Sequence, residues 1–167
     1  SISQIPCNPG SYQPFTGQSS CIDASPGYYT SALASTSQSP CTVGNFQPNS
    51  GQTRCLAADP GYYVDTNAST SQTACVLGTY NPEIGSNSSL SCLESSPGFY
   101  VPVNGSSNQL VCLPGTYQPN SAQSSCLDAD SGYFVNSYQA TSQEPCAQGT
   151  YQPQAAQIGC YNAEPGY

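Results

Sequence analysis

Along this chain one phrase of apolar and polar positions recurs: a glycine, any residue, an aromatic ring, then a long polar stretch. The aromatics stand at Tyr12, Tyr29, Phe46, Tyr63, Tyr80, Tyr100, Tyr117, Phe134 and Tyr151, each at the seventeenth position after the last except that the step to Tyr100 is longer by three. A fixed period is the mark of an array in which each unit meets its neighbours. No segment holds a 3.6-residue apolar period for more than a turn or two, and the density of Gly and Pro would interrupt any helix.

The cysteines double that period. They fall at 7, 21, 41, 55, 75, 92, 112, 126, 146 and 160, so the larger repeat spans two aromatic steps, broken once by an insertion of three between Cys75 and Cys92. Odd halves carry a cysteine three residues before the glycine and a second one further on. In even halves the same two positions read Ala24 and Gln38, Ala58 and Gln72, Ser95 and Gln109, Ala129 and Gln143. Each odd half predicts a short hairpin. The aromatic and its neighbours form one strand, a turn such as Pro48-Asn49-Ser50-Gly51 follows, and the residues leading into the second cysteine form the return. Even halves predict wider hairpins with the same entry. The fold expected is therefore a small disulfide-rich all-β array of short hairpin modules, elongated and almost without helix. Its units run about 7–40, 41–74, 75–111, 112–145 and an incomplete 146–167, in one continuous array.

Composition explains why the cysteines matter. The chain has 167 residues with no Trp or Met, and it cannot build a large apolar core. Without staples, too little apolar surface is buried to offset a chain entropy of about 1 to 2 kcal/mol per residue. An even number of cysteines at regular spacing, without a metal-ligand pattern, points to structural bridges in an oxidising, extracellular or cell-surface compartment. Two regular schemes are open, closing either the shorter or the longer intervals. The short scheme pairs all ten, as Cys7 with Cys21, Cys41 with Cys55, Cys75 with Cys92, Cys112 with Cys126 and Cys146 with Cys160; the long scheme strands Cys7 and Cys160. We therefore favour the short loops, each worth roughly 3 kcal/mol in the chain-entropy model.

Charge narrows the function classes. Arg54 stands alone against nine acids, for a net charge of -8. Without clustered Lys and Arg, nucleic acid is excluded as a partner, as is electrostatic binding to anionic membranes. No apolar run reaches the length of a membrane span. With no His, no Lys and every cysteine paired, catalysis lacks its usual bases, nucleophiles and zinc ligands, so neither an enzyme nor a cofactor is expected.

The odd halves, read as Cys-x-x-Gly-Thr-Tyr-Gln-Pro followed by Gln-x-x-Cys, resemble the first disulfide module of tumour-necrosis-factor-receptor-type cysteine-rich repeats. More closely still, they resemble the ephrin-receptor-like (GCC2/GCC3) repeats of extracellular arrays. The resemblance spans the chain. It implies a disulfide-laddered rod of hairpins in which the first cysteine of each odd half pairs with the second. Those families join modules through Cys-x-x-Cys; here Ala24, Ala58, Ser95, Ala129 and Ala163 stand in place of the second cysteine of each junction, so the receptors' ligand-binding roles do not carry over.

Three groups of residues remain as candidate sites. Asp23, Asp59, Asp128, Asp130 and Glu164 recur near Pro-Gly or Ser-Gly and are read as solvated turn acids rather than calcium ligands, which would need six to eight oxygens. The repeated aromatics are read as core rather than a sugar-stacking surface, with Tyr28, Tyr62 and Tyr133 partly exposed. Asn67-Ala-Ser, Asn87-Ser-Ser and Asn104-Gly-Ser are sequons expected at loop tips, so covalent glycans on Asn67, Asn87 and Asn104 are anticipated. The near-identity of the modules favours a structural protein of an extracellular filament, stalk or surface coat. The alternative is an adhesive or receptor-like binding module using the insertion or the tyrosines. The chain starts in the tail of one even half and stops at Pro-Gly-Tyr inside another. Its partner is therefore expected to be itself, through a longer polypeptide or head-to-tail assembly.

Overall fold

The structure is a computed structural model that describes residues 5–164; residues 1–4 and 165–167, on which the expected continuation of the array rests, lie outside it. Among the described residues there are nine two-stranded antiparallel hairpins and no α-helix. Among the described residues no helix is long and apolar enough to cross a membrane. The chain divides into two compact units, residues 1–74 with 83–91 and residues 75–82 with 92–167.

In the first unit, β1 (Ser11–Tyr12) pairs with β2 (Ile22–Asp23), and β3 (Tyr28–Tyr29) with β4 (Ser39–Pro40). Next come β5 (Asn45–Phe46) with β6 (Leu56–Ala57), and β7 (Tyr62–Tyr63) with β8 (Thr73–Ala74). The second unit holds β9 (Thr79–Tyr80) with β10 (Leu93–Glu94), β11 (Phe99–Tyr100) with β12 (Leu110–Val111), and β13 (Thr116–Tyr117) with β14 (Leu127–Asp128). It ends on β15 (Tyr133–Phe134) with β16 (Glu144–Pro145), and β17 (Thr150–Tyr151) with β18 (Tyr161–Asn162). The return strand lies one step beyond its expected place. It follows the second cysteine instead of leading into it, because Tyr12 faces Ile22 and Phe46 faces Leu56 across the hairpin. The cysteine thus closes the loop just before pairing begins.

All five bridges follow the short-loop scheme, with Cα separations of 5.6 to 5.8 Å, within the usual range for a disulfide. Even halves close the same interval without sulfur. Gln38 Oε1 accepts from Ser25 N–H, Gln72 Oε1 from Asp59 N–H, Gln109 Oε1 from Ser96 N–H and Gln143 Oε1 from Asp130 N–H, at 2.6 to 2.7 Å. In three of them the carboxamide donates as well, Gln72 Nε2 to Asp59 Oδ2 and Gln143 Nε2 to Asp130 Oδ2 at 2.7 Å, and Gln38 Nε2 to Ser25 Oγ at 3.5 Å. A glutamine at the second cysteine position therefore reaches the residue just after the first.

Two-stranded hairpins are unstable alone, and within each unit successive hairpins are tied together through their main chains. Gly10 N–H donates to Thr30 O, Gly27 N–H to Gln47 O and Gly44 N–H to Val64 O in the first unit. Gly98 N–H to Gln118 O, Gly115 N–H to Val135 O and Gly132 N–H to Gln152 O repeat the bond in the second. A further contact skips one hairpin: a Cβ on Gly27 would collide with the carbonyl of Ala68, and one on Gly115 would stand 2.5 Å from the carbonyl oxygen of Ala156. Both glycines also have positive φ, 83° and 92°, so the recurring glycine is set by backbone conformation and by stacking together.

The expectation that the aromatics are the core is corrected. They are half-buried, and Tyr151 is exposed. Tyr28 and Tyr62 are half-buried like their neighbours, and Tyr133 is exposed. Two other columns are buried. One is the first position of each half, Ala24, Cys41 and Ala58 in the first unit and Cys75, Ser95, Cys112 and Ala129 in the second. The other follows the aromatic, as Thr30, Gln47 and Val64, then Asn81, Val101, Gln118, Val135 and Gln152. Close main-chain stacking admits only small side chains in the first column, which is why Ala or Ser replaces a missing cysteine.

Candidate functional site at the loop tips

Each loop reaches its tip at a residue of positive φ, and in the regular stretches the tips keep the same interval as the aromatics: Gly17, Ala34, Gly51, Ala68 and Gly85, then Gly105, Ala122, Gln139 and Ala156. The tip N–H is anchored. Ala68 N–H donates to Cys41 O at 2.7 Å, Gly85 N–H to Ala58 O at 2.8 Å and Gly105 N–H to Cys75 O at 2.8 Å. The anchored main chain holds the adjacent side chains outward.

The three sequons fall on these tips. Asn67 and Asn104 immediately precede the tip residues Ala68 and Gly105, and Asn87 lies two residues after Gly85; all three are exposed. Val43 N–H donates to Asn67 Oδ1 at 3.1 Å, which leaves Nδ2, the atom that N-glycosylation modifies, outside that bond. Residues 64 to 71 and Thr73, rich in Ser and Thr, line a shallow polar depression of about 300 Å³ around Asn67. A second cleft of about 270 Å³ is lined by Tyr29, Pro40, Thr42, Asn45, Arg54 and Cys55.

The turn acids are dispersed. Asp23 and Asp128 sit on return strands, Asp59 and Asp130 accept from the glutamines that close even halves, and Glu164 is exposed. Among the described residues no three His, Cys, Asp or Glu side chains gather where they could hold a metal ion.

Sequence reading passed over the glutamines of the odd halves. Gln47 is 2% exposed, yet both ends of its carboxamide are bonded: Nε2 donates to Arg54 O at 2.9 Å, and Oε1 accepts from Asn49 N–H at 3.1 Å. Gln13, Gln118 and Gln152 repeat both bonds with their own loops. The signal was present as Gln-Pro. Proline has no N–H, so the glutamine oxygen is left to take the amide one residue further on. Among the described residues every buried side-chain polar atom has a hydrogen-bond partner, as native interiors require.

No protein-family model and no curated protein sequence matches this chain.

Proposed function

We propose that this chain is a structural repeat of an extracellular filament, stalk or surface coat, glycosylated at Asn67, Asn87 and Asn104 and assembled head to tail into a longer array. It acts without catalysis, and its likeness to ephrin-receptor-like repeats is one of architecture. The observation that carries the reading is the uniform main-chain bonding between successive hairpins within each unit, which uses the same glycine amide and the same acceptor position. A surface built for one ligand concentrates its unusual residues; this one spreads equivalent tips along the array.

Electron microscopy of native material tests assembly: filaments with a repeat matching the hairpin array are expected, and dispersed single particles would overturn it. Mass spectrometry of the same material should find glycan on the three asparagines; bare asparagines would remove the coat. An adhesive module is the second reading, favoured by the cleft in which the chain's one cation, Arg54, lies with Tyr29 and Asn45. A glycan and cell-binding screen separates it from the first.

A further inference from the structure

In four of the five odd hairpins the repeated aromatic faces an aliphatic residue across the strands: Tyr12 faces Ile22, Phe46 faces Leu56, Tyr80 faces Leu93 and Tyr117 faces Leu127. The fifth differs. Tyr151 faces Tyr161, with ring centroids 5.9 Å apart and the planes inclined at 46°. Directly opposed residues of an antiparallel pair have Cβ atoms about 5 Å apart, so both rings are held on one face by the backbone. Both are also open to reagents, at 52% and 55% exposure.

The rest of the chain leaves an oxidant few other targets. Trp, Met and His are absent, and all ten cysteines are in disulfides, so the side chains that usually yield first to oxidation are missing or capped. Tyrosine is the side chain left for one-electron chemistry. We propose that Tyr151 and Tyr161 form a site of oxidative cross-linking, in which a peroxidase acting with hydrogen peroxide joins the two rings as dityrosine.

Each phenol loses one electron and one proton to give a phenoxyl radical. The radicals couple through the ring carbons ortho to oxygen, forming one C–C bond, and the hydrogens on those carbons move to the phenol oxygens as the rings regain aromaticity. The two electrons and two protons reduce one hydrogen peroxide to two waters. Holding the rings together makes coupling an intramolecular event, favoured over encounters between chains. The product is a staple that reductants cannot open, set beside the reducible bridge Cys146–Cys160.

The test uses the full chain, treated with a haem peroxidase and limiting hydrogen peroxide. Dityrosine fluorescence should appear in protein that remains monomeric, with an intact mass lower by two hydrogens. After reduction and alkylation, cleavage at glutamate, which spares the Glu-Pro bonds after Glu144 and Glu164, should give the peptide 95–167 with the same loss, and its backbone fragments should be silent between 151 and 161. Tyr161→Phe removes one phenol but keeps the ring, and Tyr161→Leu installs the residue type found at 56, 93 and 127; both should fold and lose the monomeric signal. Fluorescence that persists in these variants, links confined to dimers, links mapped to another tyrosine such as Tyr138, or no dityrosine at all would each overturn the proposal.

Discussion

Between Cys41 and Cys55 the loop is closed by a covalent bond, whereas between Ala58 and Gln72 the equivalent loop is closed by a carboxamide that accepts Asp59 N–H at 2.7 Å and donates to Asp59 Oδ2. The two chemistries act on different states. A disulfide restricts the unfolded chain and acts however well the folded loop is solvated, while the glutamine contributes only once the hairpin has formed. The comparison shows what a hairpin of two-residue strands requires here: one closure of the loop, of either kind, and a main-chain ladder to its neighbour. Because the ladder makes neighbouring hairpins share their stability, one staple per full repeat serves two hairpins.

The largest effect expected falls on both kinds of half alike and so checks that the ladder is common to them. Gly27→Ala, in an even half, and Gly44→Ala, in an odd one, each place a methyl group against a tip carbonyl while keeping a φ of 83° or 82° that Ala adopts poorly. We expect each to cost on the order of 3 kcal/mol or more. Denaturant unfolding under non-reducing conditions measures it. Gly132→Ala keeps a φ of 85° but meets nothing, and should cost only about 1 to 2 kcal/mol. Equal losses at Gly27 and Gly132 would mean that φ alone, and not stacking, selects the glycine.

The second prediction separates the closures. Replacing Cys41 and Cys55 together by Ala should cost roughly 3 kcal/mol. Gln72→Ala, in the neighbouring even half, should cost about 1 kcal/mol, as expected for hydrogen bonds at a half-exposed site. Gln47→Ala lies between them at about 2 kcal/mol, because it leaves Asn49 N–H and Arg54 O without their partner in a part-buried loop. Urea midpoints of the three variants rank them. A Gln72→Ala loss as large as that of the disulfide would erase the distinction between the halves.

The period, the bridges and the placing of sequons at tips were legible in the sequence because each rests on residues with one dominant role, such as Cys, Gly or Asn-x-Ser. The position of the return strand was not, since Ile22 and Asp23 carry no turn or pattern signal of their own; only the cross-strand register assigns them. Nor was the core. In an ordinary domain a repeated aromatic is the largest apolar payload available, but stacking through main-chain contacts brings the backbones too close for rings. The buried columns therefore fall to Ala24, Cys41 and Ala58 and to residues such as Gln47 and Val64. Gln38, Gln72, Gln109 and Gln143 were visible as the place of a lost cysteine, yet their function depends on a hydrogen bond whose partner, one residue past the first cysteine position, is known only from the fold.

A third prediction converts one kind of half into the other. Ala58→Cys with Gln72→Cys places thiols at positions equivalent to Cys41 and Cys55, and Ala58 is as fully buried as Cys41. The pair should oxidise during folding and stabilise the chain by up to about 3 kcal/mol relative to the wild type, less the glutamine contribution. Thiol titration and a shifted urea midpoint report it. Two free thiols in folded protein would show that the even loops are too wide to be bridged.

The smallest effect is expected at the tips, where in the first unit odd halves carry Gly17, Gly51 and Gly85 but even halves carry Ala34 and Ala68. Ala68 holds a φ of 54°, a left-handed conformation that costs an L-residue about 1 to 2 kcal/mol. Glycine would relieve that strain but enlarge the unfolded ensemble, at a cost of about 0.4 to 1 kcal/mol. The two terms oppose each other, so Ala68→Gly should raise stability by no more than about 1.5 kcal/mol. Gly51→Ala should lower it by a similarly small amount, because a Cβ there would find Asp23 Cγ at 3.5 Å, an ordinary contact. Near-silent exchange in both directions would explain why Gly and Ala trade places at the tips while the glycine before each aromatic does not vary. A loss at Gly51 as large as that at Gly27 would instead mean that the tips, too, are fixed by packing against the neighbouring hairpin.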